Sequence, residues 1–227
     1  MSTRPSIIVF DVNETLSDMS PLAGVFEEVA APGTMAELWF TTLLRDGFAL
    51  TAAGDNVGFS EVGTEALHRL LSRVDLNRDR NQAVEHIMVG MASLGVHPDV
   101  PGGVRSLSQA GFRLVTLSNG STAIAESLFE RAGIGDSFES LLSVEDAPAW
   151  KPAPAAYHYA ARMSGADPSE MMLVAVHPWD IHGAARAGLQ TAWISRSSTS
   201  YPGCFSPPDH IVTDLTELPS VLASRNP

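Results

Sequence analysis

The sequence predicts an α/β fold: a doubly wound parallel sheet that carries one inserted block of helices. Three observations predict it. Short, continuous apolar runs recur along the chain, and polar clusters follow the main ones. Helical stretches separate these runs. The interval from about residue 20 to residue 100 carries helical periodicity and no convincing strand. Continuous rather than alternating apolar runs are the pattern of strands buried on both faces.

The first strand is Ile7-Ile8-Val9-Phe10, ended by Asp11-Val12-Asn13-Glu14-Thr15. Helices are then expected over 22–30, 34–50, 59–74 and 81–94, and Pro98-Asp99-Val100-Pro101-Gly102-Gly103 punctuates the return to alternation. A helix over 104–110 leads into a strand over 112–117, which runs into Ser118-Asn119-Gly120-Ser121. Helices over 122–132 and 154–163 precede a strand over 171–176, which runs into His177-Pro178-Trp179-Asp180. A helix over 181–187 and strands over 191–194 and 210–212 complete the set, with 195–200 as a flexible loop. Gly111, Gly133 and Gly188 sit where C-terminal caps belong. The expected domains are an α/β core of residues 1–19 and 100–227 and a helical cap of residues 20–99. In open sheets of this kind ligands collect outside the carboxyl ends of the strands, where these polar clusters fall.

Composition narrows the partners. Of 227 residues, 44% are hydrophobic and 18% charged, enough apolar material to fill a core without staples. Lys and Arg number 14 against 26 Asp and Glu, a formal charge of −12 that repels phosphate backbones and anionic lipid, so neither nucleic acid nor membrane is an expected partner. The single cysteine, Cys204, excludes an internal disulfide framework and is assigned no role. No apolar run approaches the ~20 residues of a membrane span, and the run at residues 7–10 is too short for a signal peptide. A soluble cytoplasmic protein is expected.

Four motifs occur in order: Asp11-x-Asn13-x-Thr15-Leu16 after the first strand, Ser118-Asn119 after the second, Lys151-Pro152 before a helix, and Asp180 after a third strand. Together they resemble the haloacid dehalogenase superfamily, over nearly the whole chain. The helical insert is similar to the cap of its 2-haloacid dehalogenase branch. The resemblance implies a Rossmann-like core and makes Asp11 the nucleophile. A carboxylate is already ionised near neutral pH and needs no base before it attacks; the plainer reading of Asp11 is a turn former at a strand end.

In superfamily phosphatases the position of Asn13 holds a second Asp that protonates the leaving alkoxide. An amide supplies no such proton, and a departing halide needs none, so Asn13 favours carbon–halogen cleavage. Thr15 and Ser118 would donate to Asp11 or to a substrate carboxylate. Asn119 and the amides of the following helix start would help hold that carboxylate; alone, Ser-Asn-Gly-Ser is a capped turn. Lys151 would neutralise Asp11 and Asp180, since two unit charges ~4 Å apart interact by ~4 kcal/mol at an effective dielectric near 20. Tyr157 matches a tyrosine of the dehalogenase branch, and Trp179 fits an apolar wall around the substrate.

Two departures stand out. The resembled dehalogenases carry Ser-x-Asn-x-x-Asp where this chain has Ala175-x-His177-x-x-Asp180. His177 is thereby a candidate to position water, act as a base or donate to the leaving group. After Leu38-Trp39 they carry an arginine that receives the halide, where this chain has Phe40. Arg45, about one turn further on, is the candidate substitute, its plainer reading an exposed helix arginine. His182 and the remaining histidines show no ligand spacing.

The leading expectation is a hydrolase that converts a short 2-haloalkanoate to a 2-hydroxy acid through an ester on Asp11, with no cofactor. The alternatives are a Mg²⁺-dependent phosphatase with Asp180 as metal ligand, and a catalytically idle binding protein on the same fold. The resembled branch is often dimeric, so a homodimer is one open assembly state.

Overall fold

Ile7–Phe10 (β1) forms the middle of the sheet because all four of its side chains are apolar and fully buried. β1 pairs in parallel with Arg113–Ser118 (β2) on one side and Met171–Ala175 (β4) on the other. Ser140–Ser143 (β3) lies beyond β2; Gln190–Ile194 (β5) and His210–Val212 (β6) lie beyond β4. The order is β3-β2-β1-β4-β5-β6, every pairing parallel. The computed structural model describes residues 4–197 and 199–223. Residues 1–3 and 224–227 of the expected core, and Ser198 of the expected loop, lie outside the described residues.

Strand alternation divides the core in two. Ile7 and Val9 face one apolar cluster, and Ile8 and Phe10 the other. Val100–Gln109 (α5), Thr122–Arg131 (α6) and Leu218–Ala223 (α9) cover the Ile8 face, through residues such as Val104, Phe129 and Leu222. Pro154–Ser164 (α7) and Pro178–Arg186 (α8) cover the Ile7 face. Each such buried aliphatic or aromatic side chain contributes ~1.5–3 kcal/mol.

Between β1 and β2 stand Leu22–Glu27 (α1), Met35–Ala53 (α2), Phe59–Leu71 (α3) and Arg80–Ala92 (α4). Their apolar faces continue the Ile7-side cluster through Phe26, Trp39, Leu43 and Leu67. α2 and α3 approach closely at Gly63, whose carbonyl accepts from the Trp39 indole at 2.9 Å. The block is tied to the core by Asn56, whose amide donates to the carbonyls of Val144 (3.1 Å) and Ala147 (2.7 Å). Trp150 inserts between them: it stacks on Phe59 at 6.1 Å, donates its indole N–H to Val57, and lies over Gly47. No helix among the described residues is long and apolar enough to cross a membrane.

Several boundaries differ from expectation. β3 was not anticipated; it is four residues, Ser-Leu-Leu-Ser, at the sheet edge, too short to stand out by composition. α5 starts at Val100 rather than 104, because Pro101 sits in the first turn, where its missing N–H costs nothing. α8 starts at Pro178 rather than 181 for the same reason, so Trp179 and Asp180 lie on a helix. α1 ends at Glu27 rather than 30, and Ala30 takes a left-handed φ of 63°. Gly111, Gly133 and Gly188 do adopt left-handed φ, 84°, 63° and 92°, at the ends of α5, α6 and α8.

Candidate active site

The order of the strands assembles the site. β1 lies between β2 and β4; the chain runs from β1 to β2 on one side and from β4 to β5 on the other, so the topological switch point of the sheet falls between β1 and β4. Asp11 follows β1, Ser118 ends β2, and His177 and Asp180 follow β4, so three loops far apart in sequence converge. Lys151 enters from a fourth direction, directly after Trp150, which is anchored in the helical block.

Lys151 is completely buried, and its Nζ donates to Asp11 Oδ1 at 2.9 Å and to Asp180 Oδ2 at 2.6 Å. Burial alone would disfavour the ammonium, but the fields of Asp11 and Asp180 more than offset it and raise its pKa. Asp11 is likewise buried, which opposes its charge. Lys151, His177 and the Thr15 hydroxyl outweigh that and hold its carboxyl far below the usual range. Asp180 moves the other way: burial and the charge of Asp11 push it up against the pull of Lys151 and Tyr157. The pair thus divides into a carboxylate that stays ionised and one better suited to take a proton.

Thr15 Oγ donates to Asp11 Oδ2 at 2.6 Å and accepts from the Val176 amide at 3.1 Å, which fixes the direction of its proton. Tyr157 is buried with its hydroxyl donating to Asp180 Oδ1 at 2.6 Å, so it touches Asp180 rather than open space. Asn119 also turns inward: its amide donates to the Lys151 carbonyl (3.3 Å), and its oxygen accepts from the Lys151 amide (3.0 Å). Ser118 Oγ accepts from the Gly120 amide at 2.9 Å, and Asn13 lies beside Gly120, both buried.

His177 bridges two carboxylates. Its Nδ1 is 3.1 Å from Asp11 Oδ2 and its Nε2 2.7 Å from Glu14 Oε2. Burial opposes an imidazolium here, yet hydrogen bonds to Asp11 and Glu14 and their charges push its pKa up to about 9. Trp179 stacks on the ring at 4.9 Å and Phe40 leans on it at 6.4 Å. Glu14 was missed by the sequence reading. Its signals are weak: a carboxylate in a strand-end loop, and a left-handed φ of 61° that residue type does not announce.

His177 and Glu14 line two cavities between the helical block and the sheet, of about 790 Å³ and about 440 Å³. Phe40 borders both. The smaller is completed by Phe48, Trp179 and Arg45, and the Arg45 guanidinium is exposed and held by Asp46 at 2.8 Å. The larger has Leu22, Trp193 and Arg196 in its wall; Arg196 is engaged with the Thr15 carbonyl and Asp99. Asp11 lines neither cavity and meets them through His177. Among the described residues, no group of three or more His, Cys, Asp or Glu side chains is arranged to hold a metal ion. The space between Asp11 and Asp180 is taken by the Lys151 ammonium.

Fold and site together define a class: doubly wound α/β hydrolases with a lysine-bridged carboxylate pair at the switch point of the sheet. Relatives narrow it. The family model of haloacid dehalogenase-like hydrolases matches residues 5–188, and the chain belongs to that family. Haloacetate dehalogenase H-2 of Moraxella sp. (strain B) is 30% identical over 219 residues, 95% of this chain and 97% of its own. The (S)-2-haloacid dehalogenase of Pseudomonas sp. (strain YL) is 30% identical over 211 residues, 92% of this chain and 90% of its own. The crystal structure of a dehalogenase with an intermediate complex superposes with a TM-score of 0.90 at 27% identity, covering 98% of this chain and 99% of that one.

Proposed function

We propose that this protein is a hydrolytic dehalogenase that converts a short 2-haloalkanoate to a 2-hydroxy acid through an ester on Asp11. One observation carries the reading: an ionised, buried Asp11 is bridged by Lys151 to Asp180, while Asn13 stands where a phosphatase needs an acid. The named relatives at 30% identity support it.

Oδ2 of Asp11 is engaged by Thr15 and His177, whereas Oδ1 faces Lys151 alone among the side-chain contacts and is the oxygen free to attack. The substrate carboxylate binds toward Ser118, Asn119 and the N-terminus of α6, whose first amides lack intrahelical partners. Asn119 contributes by fixing the Lys151 backbone. The Oδ1–carbon bond forms as the carbon–halogen bond breaks on the opposite side, with inversion, and the halide leaves with the electron pair. Water, giving its proton to Asp180, then hydrolyses the ester. Tyr157 holds Asp180 in place for that step. Residues 20–99 act as the cap that excludes bulk water over a core of residues 1–19 and 100–227. Arg45 draws the anionic substrate to the mouth of the smaller cavity, and Trp179 and Phe40 line its apolar side. We place the protein in the cytoplasm and leave it free to form a homodimer.

The test is halide release from chloro-, bromo- and fluoroacetate, run beside p-nitrophenyl phosphate, with and without EDTA. Halide release that survives EDTA is expected. Metal-dependent phosphatase activity without halide release overturns the reading. In a single turnover in heavy-isotope water, the label should enter Asp11 before product.

A further inference from the structure

Displacement at carbon needs neither Glu14 nor His177, yet His177 touches Asp11 and Glu14 touches the far side of His177. Once Oδ1 has become the ester oxygen, Oδ2 is the carbonyl oxygen. When water adds to Cγ, the electron pair of that carbonyl moves onto Oδ2. Two groups already face that atom: the Thr15 hydroxyl at 2.6 Å and His177 Nδ1 at 3.1 Å. This is the spacing of an oxyanion hole. Whether His177 donates there depends on its other nitrogen, which lies 2.7 Å from Glu14 Oε2. An imidazole with a carboxylate at each end donates from both nitrogens.

We infer that Glu14 is a positioning residue that holds His177 as a hydrogen-bond donor, so that His177 and Thr15 form an oxyanion hole on Asp11 Oδ2 for hydrolysis of the covalent ester. This rests on the dehalogenase reading above. The backbone supports it. Glu14 is held at a φ of 61°, rare for a residue with a side chain, by its amide donating to Ser17 Oγ and by His97 Nε2 at 3.0 Å from its carbonyl. The ring is fixed by Trp179 and Phe40. The pKa of His177, pushed up to about 9, agrees with this placement.

Other charged groups around the ring are Lys151 behind Asp11, which opposes the imidazolium, Glu37 and Arg45 on α2, and Asp18 and Arg196, which share its cavities. His97 faces the Glu14 carbonyl. In the hydrolytic step the water oxygen bonds to Cγ and one water proton passes to Asp180. On collapse the pair returns from Oδ2, the Cγ–Oδ1 bond breaks, and the departing alkoxide takes the proton from Asp180. His177 keeps its proton throughout, so it is not the base.

Glu14→Gln keeps the size and an acceptor but removes the charge, and at a half-exposed side chain the exchange leaves the fold intact. Two readouts are required. First, ¹⁵N NMR of the His177 imidazole, assigned with His177→Asn, should titrate near 9 in the wild type and lower in Glu14→Gln, with Glu14→Asp between. Second, with bromoacetate, the first-turnover burst of bromide should persist in Glu14→Gln while steady turnover falls by about 10-fold or more. The Asp11 ester should accumulate by mass spectrometry, and the alkaline limb of kcat should move to lower pH. Identical His177 titration in wild type and Glu14→Gln, or a burst that falls in step with turnover without ester, overturns the inference. No bromide release by the wild type, with the NMR shift intact, overturns the dehalogenase reading and the oxyanion role but not the hold of Glu14 on His177.

Discussion

His177 makes the stability of the folded protein depend on pH in a predictable direction. In the unfolded chain its imidazole loses its proton near the ordinary 6.5, whereas in the fold, despite burial, hydrogen bonds to Asp11 and Glu14 keep it to about 9. Between those values the folded state binds more protons than the unfolded state, so stability falls as pH rises. The contribution is fully present below 6.5, declines through the window and is gone above about 9. The interval corresponds to about 3 kcal/mol. The ring is only 12% exposed, so solvent screening removes little of it. Urea midpoints measured from roughly pH 6 to roughly pH 9.5 should therefore drop for the wild type by the equivalent of about 3 kcal/mol at constant m-value. His177→Asn should lack this decline. A wild type that stays flat, or a variant with the same slope, refutes the reasoning, because the proton would then not be held by this pair of carboxylates.

Further outcomes follow from the same geometry. Lys151→Met leaves two buried carboxylates without their cation and should destabilise the fold by about 3–5 kcal/mol near neutral pH, read by denaturant titration, with loss of turnover. Asp11→Asn should abolish halide release, whereas His177→Asn should retain measurable release because its amide still offers a donor to Oδ2; complete loss in folded His177→Asn counts against that. Gly47→Ala places a methyl group against the Trp150 ring and should cost about 1–3 kcal/mol. Because Trp150 precedes Lys151, kcat should fall with it; unchanged kcat would show that the Trp150 anchor does not set the lysine.

Much of the site was legible in the sequence because strand ends are easy to read. Buried strands announce themselves as continuous apolar runs, and Asp11, Ser118, His177 and Asp180 stand just where those runs stop. Lys151 was legible only through the family that the four motifs resemble, since a lysine before a helix is by itself an ordinary surface residue. The inward turn of Asn119, the contact of Tyr157 with Asp180 and the pairing of Glu14 with His177 were not. Each depends on a side chain's direction, and Glu14 and His177 lie 163 positions apart. β3 escaped because four residues at an edge carry too little apolar signal.

By itself, then, the amino-acid order determined the parallel sheet, the block of helices between β1 and β2, and the set of groups at the strand ends, since hydrophobic period and chain punctuation are local properties. The tertiary structure decided which of those groups touch. Placing β1 between β2 and β4 brings the loop carrying Glu14 against the start of α8, and the left-handed turn at Glu14 aims its carboxylate at His177. Charges act through space. The proton on His177 and the ionisation of Asp11 were therefore settled only when packing removed water and set these groups within 3.1 Å of one another.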